Sequence, residues 1–184
     1  LHAMQDLRRL AWDLSLFTTS EFGFVELPPQ YITGSSIMPN KSNPDVVELL
    51  RARAATPEAA IAEIQSVLSL PSAYERDLQL TKAPLIRGME ASLQALSIVP
   101  ALVGGLSYRP ARMRAAISTD MYATDIALER SAAGVPFREA YLEAKQALDE
   151  LDAPSAEDSL AQRVSPGGCA DLGLERIQAR LEQE

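Results

Sequence analysis

The sequence predicts an all-α chain, and three observations carry that prediction. Aromatic residues make up only 5% of the 184 residues while hydrophobic residues reach 47%. Strands draw on aromatic and β-branched side chains, so an Ala- and Leu-rich composition favours helix. Apolar residues also recur at helical spacing in long runs. Five Pro and Gly residues also gather in one stretch, residues 19–43, that separates two such runs.

The first run covers residues 1–18, where Met4, Leu7, Ala11 and Leu14 share one face, with Leu10 and Phe17 beside them. Residues 19–43 contain Gly23, Pro28, Pro29, Gly34 and Pro39 and read as one long irregular segment. Loops of that length inside a domain are usually functional or disordered. Asn43-Pro44-Asp45 reads as a helix start, with Asn as cap, Pro at the first helical position and Asp facing the positive end of the dipole. That helix should run to about Leu70 on a stripe of Val47, Leu50, Ala54, Ile61, Ile64 and Leu68, with a kink or break near Ala55-Thr56 ahead of Pro57.

A second loop is expected at about 71–81 and a helix from about Lys82 to Leu102. This helix is apolar on most sides, with Leu85, Met89, Leu93, Leu96, Ile98, Val99 and Leu102. The chain is too short to cover such a helix, which implies an oligomeric bundle. After Gly104-Gly105 shorter helices follow at about 110–118, 122–132, 136–151, 156–163 and 170–182. Pro110 and Pro136 would open two of them, and Gly134 would close another. The domains are therefore expected at 1–106 and 107–184.

A formal charge of −8 disfavours broad nucleic-acid binding and attraction to an anionic membrane. No apolar run is long enough to span a bilayer; Leu93 to Leu106 comes nearest and holds Gln94 and Pro100. Cys169 stands alone, so no intrachain disulfide can form, which fits a cytoplasmic protein. With His2 as the one histidine, no metal site or cofactor is expected. The chain starts inside a helical pattern without a signal peptide, which reads as a fragment.

The chemistry is expected at residues 33–43. Gly34 permits close approach of the backbone, and two serines, a buried-type pair Ile37-Met38, Pro39, Lys41 and Asn43 follow. Backbone N–H groups near Gly34 and Ser36, with Lys41, could surround a carboxylate. They could also stabilise a serine alkoxide, which a serine needs before it acts as a base. On composition alone the segment reads first as a plain Gly/Ser turn with a solvated lysine.

Gly34-Ser35-Ser36-x-Met38-Pro39-x-Lys41-x-Asn43 resembles the signature loop of the fumarase/aspartase superfamily, with all seven specified positions filled. Leu70-Pro71-Ser72-Ala73-Tyr74-Glu75-Arg76-Asp77-Leu78-Gln79 resembles a segment of the argininosuccinate lyase family. So do Glu21-Phe22-Gly23-Phe24, Ala123-Thr124-Asp125-Ile126-Ala127 and Gly134-Val135-Pro136-Phe137-Arg138-Glu139-Ala140. The resemblance thins after about residue 152.

That resemblance implies part of a long central helix bundle followed by a small helical C-terminal domain, from the C-terminal portion of a homotetramer that cleaves argininosuccinate to arginine and fumarate. Ser35 would be the base, Lys41 would stabilise the aci-carboxylate, and Glu48 would orient the family's histidine. Ser36, Asn43, Tyr74, Gln79 and Lys82 would contact substrate. The Thr-His region is absent, so the segment is expected to be inactive alone. Asn40, Ser42, Glu75 and Leu80-Thr81 depart from the family pattern. They put substrate preference and local geometry in doubt more than reaction class. Two rivals remain: another fumarate-releasing lyase, such as an adenylosuccinate lyase or aspartase, and a non-catalytic relative such as a delta-crystallin or an oligomerising bundle fragment.

Overall fold

The computed structural model describes residues 1–69, 76–146 and 154–183. The chain divides into two compact units, Leu1–Arg112 and Met113–Glu184. Both are helical, and the strands are two residues long. The expectation of an all-α chain holds.

The first unit begins with α1 (His2–Phe17), whose buried face is Met4, Leu7, Ala11 and Leu14, the stripe read from the spacing. It packs on α2 (Asp45–Arg53), which buries Val47 and Leu50. After the joint at Ala54 comes α3 (Ala55–Leu68). The break falls at Ala54, one residue ahead of the expected place, and Pro57 explains it. An unbroken helix would need the Pro57 nitrogen to donate to the Arg53 carbonyl, and proline has no N–H.

The start of α2 also differs from expectation. Pro44 stands at the cap position, and its carbonyl accepts from the Glu48 N–H at 3.0 Å. Asn43 is not the cap, because it is held in a β-ladder opposite Thr33.

α4 (Lys82–Gly104) follows a 3₁₀ turn at Arg76–Thr81 and runs antiparallel along α3 and then α2. The order of contacts shows the direction: Arg87 pairs with Glu63, Gly88 lies against Ala60 and Pro57, and Arg53 donates to Gln94 at 2.9 Å. The buried face of α4 is Pro84, Gly88, Ala91, Ala95 and Leu102, and α3 meets it with Pro57 and Ala60. Small residues let two helix backbones approach closely, so the large side chains are turned elsewhere. Leu85, Met89 and Leu93 are 54%, 55% and 62% exposed, and Ile61 and Leu68 on α3 are exposed too. The apolar stripe expected for α3 is corrected accordingly: Ile61 and Leu68 lie on its exposed side, and Pro57 and Ala60 form its buried face.

The irregular segment 19–43 contains short pairings. β1 (Val25–Glu26) and β4 (Ser107–Tyr108) are antiparallel, with Val25 opposite Tyr108. Phe17, Phe22 and Phe24 cluster beside them, with ring centroids 5.4–6.2 Å apart. β2 (Thr33–Gly34) and β3 (Ser42–Asn43) form the stem of a hairpin that ends at the N-terminus of α2.

α5 (Pro110–Ala115) begins before the division between the units. Within the second unit, α6 (Ala123–Ala132) packs on α7 (Phe137–Gln146), burying Ala127, Ala140 and Ala144. Gly134 closes α6 as expected, with φ +103. Its N–H reaches the Ser131 carbonyl and that of Val135 reaches Arg130, the double bond of a Schellman cap. The sequence extends α7 to residue 151, and residues 147–151 lie outside the described part. α8 (Ala156–Ala161) is capped by Ser155, whose Oγ accepts from Asp158 N at 3.0 Å. α9 (Leu174–Leu181) starts four residues later than expected, because Gly167 N–H donates to Asp171 O and closes a turn ahead of it.

The tight α3–α4 contact is directly testable. A Cβ at Gly88 would lie 3.1 Å from the Ala60 Cβ. Gly88→Val should therefore destabilise the first unit by about 1–3 kcal/mol, read as a lower urea midpoint. An unchanged midpoint would mean that α3 and α4 are not in close contact.

Candidate active site

The hairpin stem is two residue pairs, Thr33–Asn43 and Gly34–Ser42. Ser35 leaves the last pair on one strand and Lys41 enters it on the other. The two residues therefore spring from facing positions at the same end of the stem. Gly34 lies against the Lys41 carbonyl, which a Cβ would reach at 4.0 Å.

Ser35 is half-buried. Its Oγ accepts hydrogen bonds from the backbone N–H groups of Ile37 and Met38, each at 3.2 Å. Two amide dipoles thus point at the one atom that would carry negative charge if Ser35 lost its proton. Donors fixed on the charged form favour that form. The loop is closed by the Lys41 N–H donating to the Met38 carbonyl at 3.0 Å. Ser36 and Lys41 are exposed, and Asn43 is half-buried. The pair Ile37-Met38, read from the sequence as a buried type, is exposed: Ile37 is 86% accessible. Its short turn projects from the chain and has no core beneath it.

Glu48 lies one turn into α2, exposed, with its carboxylate 4.0 Å from Arg51. Gln79 sits on the 3₁₀ turn before α4, Lys82 is the first residue of α4, and both are exposed. Tyr74 lies outside the described residues. The structure therefore brings Ser35, Ser36, Lys41 and Asn43 onto one hairpin, with Glu48 just beyond it. It keeps Gln79 and Lys82 away. They stand at the start of α4, whereas the hairpin adjoins the start of α2, and α2 and α3 run antiparallel to α4 between the two places. At 1.5 Å per residue those helices are roughly 35 Å long. One copy of this chain cannot close a substrate-sized site around both groups.

Sequence reading missed a cleft of about 490 Å³ at the base of the hairpin. Ser42, Pro44 and Ile32 form one wall, and Thr18, Thr19, Ser20, Arg109 and Arg112 line the rest. Arg109 pairs with Glu26. Arg112 donates to the Ser20 carbonyl at 2.5 Å and lies over Gly23, which has φ +55. Glu21 follows on this turn, and its own backbone N–H, helped by the Ser20 hydroxyl, holds its carboxyl below the usual carboxylate range. The two arginines carry no motif, and nothing short of the fold links residue 20 to residue 112. Among the described residues no three His, Cys, Asp or Glu side chains gather as metal ligands. None of the described helices is long and apolar enough to cross a membrane.

Comparison with known proteins follows the same line. A family profile described as Lyase matches residues 2–56. The chain is 58% identical over 181 residues to an argininosuccinate lyase of Xanthomonas euvesicatoria pv. vesicatoria, covering 98% of this chain and 42% of that protein. An argininosuccinate lyase of Xylella fastidiosa is 56% identical over 179 residues, covering 97% and 40%. The chain thus spans about two fifths of the length of these relatives. Among solved structures, an EDDS lyase variant with bound fumarate superposes with a TM-score of 0.66 at 22% identity, covering 98% of this chain and 44% of that one. A fumarate lyase:delta crystallin from Brucella melitensis gives 0.60 at 24%, covering 80% and 33%. At such identities these two structures speak for the fold alone.

The turn beneath Arg112 yields a second prediction. Gly23→Ala puts a side chain into left-handed backbone and within 2.8 Å of the guanidinium. The variant should lose about 1–2 kcal/mol of stability in urea unfolding. A loss below a few tenths would show that the turn is not held in this form.

Proposed function

We propose that this chain, a relative of the argininosuccinate lyases along 98% of its length, is the serine-loop portion of a lyase that cleaves argininosuccinate to arginine and fumarate by β-elimination, a step of arginine biosynthesis. The observation that carries the reading is the pair of amide donors at 3.2 Å on Ser35 Oγ, on a hairpin whose facing strand delivers Lys41.

The steps are those that the family resemblance implies for the residues of this hairpin. Ser35, as alkoxide, takes the proton from the carbon next to a succinyl carboxylate. The electron pair left behind moves into that carboxylate, giving a dianionic aci-carboxylate. Lys41 stabilises it, since a cation fixed opposite developing charge acts where that charge appears. The pair then returns to form the carbon–carbon double bond of fumarate while the carbon–nitrogen bond breaks and arginine leaves. Asn43 and Ser36 hold the substrate carboxylates from the same hairpin. Glu48, exposed on α2 beside Arg51, would orient a histidine supplied from elsewhere, since His2 is the one histidine of this sequence.

Gln79 and Lys82, with Tyr74 before them, act in a different copy of the site from the Ser35 of their own chain. The separation of roughly 35 Å along the helices supports this. So do the large apolar side chains left exposed on α4, which mark an association surface. The reading is accordingly a homotetrameric, cytoplasmic enzyme in its full-length form. The 184 residues alone would be inactive, because they lack the family's Thr-His region.

In the complete enzyme, Ser35→Ala should lower turnover at least ~100-fold with little change in KM, measured as fumarate absorbance on argininosuccinate. Near-normal turnover in that variant would remove Ser35 from the base role.

A further inference from the structure

The serine hairpin has very little to hold it. Its ladder is two residue pairs long, and one of the four residues is Gly34, which has no side chain. A two-stranded hairpin is marginal even when longer. Its loop carries exposed Ile37 and Met38, so no packing anchors the tip. Yet a base must be held within a fraction of an ångström of its proton to be effective. Something must orient the stem.

Among the described residues one side-chain bond links the stem to a helix. The Thr33 hydroxyl donates to Asp45 Oδ2, twelve residues on. Thr33 is in the first pair of the ladder, and Asp45 is the first residue of α2, half-buried at the helix start. The bond spans the junction at Asn43-Pro44, the place about which the hairpin would swing relative to α2. α2 is itself anchored through Val47 and Leu50 on α1. Core packing is thereby transmitted through one carboxylate to one hydroxyl, and through the Thr33–Asn43 pair to Ser35 and Lys41.

We infer that the Thr33–Asp45 hydrogen bond is the hinge pin of the serine hairpin, and that Thr33 and Asp45 are positioning residues. They fix the direction of Ser35 and Lys41 without touching substrate. The inference builds on the proposed lyase reading, but its first test stands apart from catalysis.

That test is amide hydrogen exchange on the 184-residue chain. Thr33→Val keeps the β-branched shape and removes the donor. It should speed exchange at the Ile37 and Met38 amides by about tenfold or more, the size expected for one lost hydrogen bond to a charged group. Exchange in α1 and α4 should not change. Thr33→Ser keeps the hydroxyl and should restore the parent rates. Parent-like exchange in Thr33→Val, or equal loss in Thr33→Val and Thr33→Ser, overturns the pin. The second test is kinetic, in the complete enzyme: Thr33→Val should lower kcat about tenfold with KM within twofold, and Thr33→Ser should recover it. Faster exchange with unchanged kcat would keep the pin and count against Ser35 as the base. A rise in KM alone would make Thr33 a substrate contact and overturn its positioning role.

Discussion

The close approach of α3 and α4 is the constraint on which the rest of the first unit depends. Gly88, Ala91 and Pro84 on one helix meet Ala60 and Pro57 on the other, and all are buried. Contact between small residues fixes two things together. It aligns α4 antiparallel to the α2–α3 pair, so the serine hairpin and Lys82 fall at opposite ends of that alignment. It also turns the long side chains of α4 outward, because the face that packs has no room for them. Separation of the proposed site groups and exposure of apolar surface are thus one consequence of one contact, and the proposed assembly rests on both.

Pro57 has two roles in this arrangement. It interrupts the hydrogen-bond ladder at Arg53, which divides α2 from α3 at Ala54. Its ring then lies in the buried face that receives Gly88. α2 is left free to follow α1, while α3 follows α4. Arg8 adds a tie from α1 to Glu58 at 2.9 Å, but both groups are more than a third exposed and such pairs contribute well under ~1 kcal/mol. Packing sets the geometry here, and charge decorates it.

How much was legible in the sequence depended on whether packing follows large residues. For α1 it does: Met4, Leu7, Ala11 and Leu14 were read from spacing and are the buried face. For α3 and α4 it does not. Hydrophobicity pointed to Ile61, Leu85, Met89, Leu93 and Leu102; Leu102 is buried, but the rest of the packed face went to glycine, alanine and proline, which carry little signal in a periodicity count. The serine motif was legible because it is local, but the segment was expected as one irregular loop with donors near Gly34 and Ser36, and the pairing that makes it a hairpin was not read. Which amides serve was not legible, since Ile37 and Met38 become donors to Ser35 only through the turn they form. Arg109 and Arg112 were invisible for a different reason: what matters about them is proximity to residues about ninety positions earlier.

The tip of the hairpin joins these arguments. An isoleucine that is 86% exposed, followed by an exposed methionine, is out of place on a lone surface turn. Both amides of that pair are already committed to Ser35 Oγ, so the backbone is organised for chemistry while the side chains above it have no cover. A donor pair is worth most when water is excluded from around it, because electrostatic interactions strengthen as the local dielectric falls. Covering Ile37 and Met38 with apolar surface, whether by loop closure or by another subunit, would strengthen the two bonds beneath them by the same step. In the proposed lyase reading, the apolar residues at the tip would then be the part of the loop that couples its covering to the two hydrogen bonds on Ser35, which the polar residues of the motif could not do by themselves.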